Sequence, residues 1–213
     1  MATAVKAWAA FLVIAIVSAA ADLVSKEWLF RWLGMPGDKP GFLIVPGVLS
    51  LETNLNEGAL FGLGQGMGVL FATISVVAII GILVIIARPA THADPRLLGA
   101  LGLITGGIVG NLYDRLGLAG LVWREPATRA GTPVIAVRDW IHFRIDGVID
   151  WPVFNLADTW LVVGAAVLLV ISFRPTPGEP CRGTDGGAAD APPLPPVAGQ
   201  TRPTGAQSSG RPS

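Results

Sequence analysis

The sequence predicts an all-α membrane protein of four transmembrane helices, with a small β platform and an interfacial loop or helix attached. Two observations predict it. Of 213 residues, 52% are hydrophobic and 14% charged, against about 25% charged in a soluble domain, and mean hydropathy is +0.59. Four apolar stretches, separated by polar or Gly/Pro-rich connections, reach or approach the roughly 20 residues that a hydrocarbon core requires. The length suits one compact bundle over residues 1–174, followed by a tail over 175–213.

The first stretch, residues 7–21, continues through Asp22 to Trp28 and sets Asp22 and Lys26 four residues apart on one helix face. Acid before base in that spacing favours an ion pair. Lys6, the apolar run and Ala19-Ala20-Ala21 also fit a cleavable secretory signal with an A-x-A site. A retained span is the better account, because the Asp22–Lys26 pair would have no bilayer role after cleavage. Four spans also put both termini on one side of the membrane.

Residues 31–68 are rich in Gly and Pro, with β-prone pieces at 42–45 and 48–53, which predicts a small sheet or hairpin platform at the membrane surface. The stretches 69–87 and 97–113 contain no charged residue and read as spans. Between Leu116 and Val153, Trp123, Trp140, Phe143 and Trp151 stand among charges, as interfacial residues do. The last stretch, 160–173, reaches spanning length if its helix begins near Asn155, and Asp158 then falls in the first turns. Pro, Gly, Ala and Ser dominate 176–213, too little apolar surface to fold, which predicts a disordered tail.

Charge and cysteine content exclude several functions. Net charge is zero, so no nucleic acid or other polyanionic partner is implied, and the single cysteine, Cys181, rules out an internal disulfide or a cysteine-rich metal site. His92 and His142 are far apart and belong to no ligand motif, so neither metal nor cofactor is expected. With the N-terminus inside, one side would hold Lys6, Arg88, Arg96, Arg174, Arg182, Arg202 and Arg211. The other would hold Lys26, Arg31, Lys39, Arg115, Arg124, Arg129, Arg138 and Arg144. Charge counting therefore leaves orientation open.

Asp139, in Val137-Arg138-Asp139-Trp140, and Asp158, in Phe154-Asn155-Leu156-Ala157-Asp158, each lie close to an apolar segment, where ionisable groups are costly and usually functional. Two carboxyl groups together in a partly dry site share a proton and titrate as a coupled pair. One can activate water while the other protonates a departing amide nitrogen, the chemistry of an aspartyl peptidase. Asn111 and Asn155 are neutral donors and acceptors able to orient those carboxylates or hold a substrate backbone. The same intramembrane Asp and Asn residues would also serve a small proton- or ion-coupled carrier, though no internal repeat is evident.

Five blocks in order now carry a resemblance: Asp22-Leu23-Val24-Ser25-Lys26, Asn56-Glu57-Gly58-Ala59-Leu60-Phe61, Gly106-Gly107-Ile108-Val109-Gly110-Asn111-Leu112-Tyr113-Asp114-Arg115, Val137-Arg138-Asp139-Trp140 and Phe154-Asn155-Leu156-Ala157-Asp158. From about residue 8 to 172 the chain resembles bacterial lipoprotein signal peptidase, the type II signal peptidase that trims lipid-modified prolipoproteins. The resemblance implies four transmembrane helices in the bacterial cytoplasmic (inner) membrane, both termini cytoplasmic, and the β platform and active site at the extracytoplasmic face. It implies Asp139 and Asp158 as the catalytic dyad, with Asn56, Gly58, Asn111, Asp114, Arg115 and Asn155 around substrate and dyad, and Asp22 with Lys26 as structural support. Prolipoprotein substrates cut before a diacylglyceryl-modified cysteine, membrane lipid as a partner and inhibition by globomycin follow from it as expectations.

Other readings bear on individual residues. Asp114 ends an apolar helix and is the rival for a catalytic role, but a guanidinium beside it favours a permanently ionised carboxylate. Glu57 reads as a surface charge, and Asp146 and Asp150 as solvated loop charges. Gly106, Gly107 and Gly110 read as helix-packing residues, since no Lys-Ser/Thr follows to make a phosphate loop. Two substitutions depart from the usual pattern, Trp140 after the catalytic position and Leu60 where a small residue is common. The segment 116–136 is longer than the usual connection and would form an enlarged flap over the site.

Overall fold

The computed structural model describes residues 2–58, 64 and 66–173. Its helices are α1 (Ala2–Leu33), α2 (Gly68–Ile86), α3 (Pro95–Arg115) and α4 (Leu156–Ser172). Three of these, Thr3–Leu33 within α1, α2 and α3, are long and apolar enough to cross a membrane, whereas α4 is a shorter apolar helix. The predicted apolar stretches thus all form helices. α2 turns Val69, Val77, Ile80 and Val84 outward, which suits contact with lipid. Its C-terminal end packs Ile82 and Ile86 with Ala7 and Phe11 of α1 and Leu98 and Leu101 of α3 in the main apolar cluster.

α3 is the central helix, packed most extensively on α1 and α4. Its start is well specified: Pro95 stands at the first helical position, and the Asp94 side chain accepts from the Arg96 and Leu97 amides. Glycines then permit close approach. A Cβ at Gly106 would lie 2.2 Å from Ser18 Oγ, one at Gly107 2.5 Å from the Ala157 carbonyl, and one at Gly110 2.3 Å from Asp22 Oδ2. The packing role expected of all three is borne out. These contacts run α1 and α3 parallel, with α4 antiparallel to both.

Four antiparallel strands, in the order β1 (Phe42–Val45), β2 (Leu49–Asn56), β3 (Val137–Ile145), β4 (Ile149–Asp150), form one small sheet. β1 and β2 match the β-prone pieces. The connection expected to be an interfacial loop or helix contains no helix, and its second half is β3 and β4. The reason is pairing: β3 aligns Leu49 with Phe143, Asn54 with Asp139 and Asn56 with Val137, past an irregularity between Leu51 and Asn54. Residues 59–63, which hold Ala59, Leu60 and Phe61, and the tail from residue 174 lie outside the described residues.

Candidate active site

β3 delivers Asp139, and the first turn of α4 delivers Asp158. Alternation along β3 sends Arg138 one way and Val137 with Asp139 the other. Arg138 is buried against the bundle, its amide and Nε donating to Asp114 Oδ2 and Oδ1 at 3.1 and 2.8 Å, and its other arm to Glu27 at 3.1 Å. That grip fixes the strand on α1 and α3. Immediately beyond Asp139, the Trp140 and Ile141 amides donate to the Phe154 carbonyl at 3.0 and 2.8 Å, and the Phe154 amide donates back to Ile141. The chain entering α4 is therefore tied to the strand that carries the first carboxylate.

α4 opens with a capping box. Asn155 Oδ1 accepts from the Asp158 amide at 2.9 Å, and Asp158 Oδ2 accepts from the Asn155 amide at 3.3 Å. Capping uses only the Asn155 side-chain oxygen and backbone N–H, and its Nδ2 donates to Asp139 Oδ1 at 2.6 Å and to Asn111 Oδ1 at 3.1 Å. Asn111 Nδ2 donates to Asp158 Oδ1 at 2.8 Å. One chain of amides thus links the two carboxylates.

The direction of that chain is set from below. Lys26 can only donate, and its ammonium reaches Asn111 Oδ1 at 2.9 Å. Asn111 must therefore accept with its oxygen and present its NH2 to Asp158. Lys26 also contacts Asp22 at 2.7 Å and Asp114 at 3.1 Å, all three side chains being fully buried. Asp22 in turn accepts the Ala157 amide of α4 at 2.9 Å. The predicted Asp22–Lys26 pair is present, as the centre of a larger ionic network. Asp114 belongs to that network, and its guanidinium partner is Arg138 rather than its sequence neighbour Arg115.

Arg115 instead lines the cleft. Its guanidinium donates to the Gly58 carbonyl at 3.2 Å and lies 5.3 Å over the Phe71 ring, close enough to interact with both Asp139 and Asp158. The cleft, of about 890 Å³, takes in Asn56, Gly58, Asn111, Arg115, Asp139 and Asp158 together. Asn155 stands behind it as the bridging amide. Sequence reasoning missed Asn54, opposite Asp139 in the sheet, and the apolar walls at 151–154 and 161–163. Strand register would have been needed to find them.

Asp139 is 1% exposed. Its Oδ2 makes no hydrogen bond among the described residues. Burial, and then the Asp158 charge, push its carboxyl up to about 8, against smaller opposing effects of the Asn155 hydrogen bond, Lys26 and Asn56. Asp139 is thus the member that holds a proton near neutrality. A carboxyl that holds its proton can donate it to an amide while a second acid lining the same cleft activates water. Among the described residues no group of His, Cys, Asp or Glu could hold a metal ion.

Residues 14–174 match the family model described as signal peptidase (SPase) II. A lipoprotein signal peptidase of Rhodopirellula baltica is 43% identical over 197 residues, covering 83% of this chain and 85% of its own. One of Geobacillus thermodenitrificans is 34% identical over 164 residues, covering 76% of this chain and 90% of its own. The fold is similar to that of a solved bacterial membrane enzyme, with a TM-score of 0.61 at 23% identity over 78% of this chain and 94% of that one.

Proposed function

The chain belongs to the signal peptidase II family, and on that premise we propose how its residues divide the work of removing signal peptides from prolipoproteins. It is a membrane protease. Asp158 takes a proton from water, which attacks the scissile carbonyl, while Asp139 hydrogen-bonds the developing oxyanion and, as the C–N bond breaks, gives its proton to the departing amide nitrogen; the proton held by Asp158 then passes to Asp139 and restores the pair. The observation that carries this assignment is the side-chain amide chain Asn155–Asn111, which joins the two carboxylates while Asp139 Oδ2 stays buried with no hydrogen bond among the described residues. Asn56, Gly58 and Arg115 position the substrate backbone, and Asp114, Asp22 and Lys26 hold the frame.

The apolar walls Leu55, Val137, Leu161, Val162 and Val163 suit a lipid-bearing helical substrate. Cleavage falls on the N-terminal side of a diacylglyceryl-modified cysteine, with the acyl chains in the bilayer. α4 acts as the fourth span. Both termini lie on the cytoplasmic side of the inner membrane, and sheet and dyad at the extracytoplasmic face. Residues 1–174 form the peptidase domain, a boundary supported by the family match ending at residue 174. The relatives lend no support to a carrier function.

The test is incubation of the purified protein in lipid with a prolipoprotein in diacylglyceryl-modified and unmodified forms. Globomycin-sensitive loss of the signal peptide's mass from the modified form alone is expected. Equal cleavage of both forms would remove the lipid from the substrate definition.

A further inference from the structure

Residues 116–136 do not line the cleft, yet they reach its rim. The segment is internally ordered: the Trp123 amide donates to Thr132, Gly131 to Trp123 and Val134 to Leu121, each at 2.9 Å. This small hairpin presents Arg129, whose guanidinium lies 4.2 Å over the Trp123 ring. Arg129 donates to Glu57 Oε2 at 3.1 Å and also pairs with Oε1, a two-armed contact. A second tie joins Arg124 to Asp38 at 2.9 Å, fastening the same hairpin to the connection after α1.

Glu57 stands between two cleft residues. Asn56 pairs with Val137 in the sheet and accepts the Gly58 amide on its side chain at 3.0 Å, and the Gly58 carbonyl receives Arg115. A two-armed carboxylate contact fixes orientation as well as distance. A guanidinium stacked on an indole also has little rotamer freedom left to lose.

We propose that Arg129 is a positioning residue for prolipoprotein cleavage, clamping Glu57 so that the Asn56–Gly58 rim keeps the shape that receives the substrate. The hairpin is then a brace on the rim rather than a flap over the dyad. The inference rests on the reading that this cleft is the active site. It predicts an effect on substrate capture, not on the chemical step.

The experiment is a double-mutant cycle in the full-length protein in lipid, with Arg129→Met, Glu57→Gln and the two combined. Each single change should raise KM about three- to fivefold, the scale of a well-formed surface ion pair, with kcat and thermal midpoint unchanged. The combined variant should be no worse than either alone. Arg129→Lys, which keeps the charge without the fork, should recover part of the loss. Wild-type kinetics in either single variant, multiplying effects, or a loss in kcat with a lowered midpoint would overturn the clamp. Cleavage that survives Asp139→Asn would overturn the active-site reading instead, whatever the cycle gives.

Discussion

At the scale of single residues, the decisive asymmetry is between two aspartates of the same type. Asp139 is enclosed and pushed up to about 8 by burial and then by the Asp158 charge, so it carries the shared proton over the neutral range. Raising the pH through about 8 removes that proton and with it the donor. The kcat/KM profile should therefore have an alkaline limb near this pH, measured with a substrate that has no titrating group there. A profile that stays flat across it would refute the assignment of acid and base. The proposed dyad was legible in the sequence because each aspartate stands inside a distinctive block beside an apolar run. Arg138 was not: a charged residue next to Asp139 gives no sign that it is buried against Asp114 and Glu27. That pairing depends on where β3 lands, and single-residue chemistry is silent on it.

At the scale of elements, the apolar stretches were readable because length and absence of charge suffice to mark a helix in hydrocarbon. β3 was not, because its charges at 138, 139 and 144 break an apolar pattern and take their partners from α1, α3, the cap of α4 and the β3–β4 turn. The glycines show the converse, local residues whose purpose lies in a neighbouring helix. At Gly110 an added methyl group would strike Asp22 Oδ2 at 2.3 Å and displace the Asp22–Lys26 pair. Gly110→Ala should destabilise the fold by about 1–3 kcal/mol, the usual size of overpacking, and lower activity with it. Among the described residues no atom lies within 4 Å of a Cβ added at Gly81 of α2. Gly81→Ala should be neutral or stabilising, and unfolding midpoints of the two variants in one detergent would check the contrast.

At the scale of the whole molecule, the chain divides along its helices into an apolar end and a polar end. Phe11, Ile86, Leu98 and Leu101 close the first. Asp22, Lys26, Asp114 and Arg138 occupy the second, fully or almost fully buried. Removing one partner from such a network leaves an uncompensated buried charge, a cost of roughly 3–5 kcal/mol, so the network makes the bundle and the sheet one unit. The proposed dyad sits where they join, one carboxylate from each. The most direct test of that arrangement is single-turnover cleavage of a diacylglyceryl prolipoprotein by folded Asp139→Asn and Asp158→Asn variants in lipid, beside wild type and Asp114→Asn. Both dyad variants should bind substrate yet lose at least about a thousandfold in rate, a scale consistent with removing one member of a coupled pair of catalytic groups, while Asp114→Asn loses stability more than chemistry. Cleavage at near wild-type rate by either dyad variant would contradict the account.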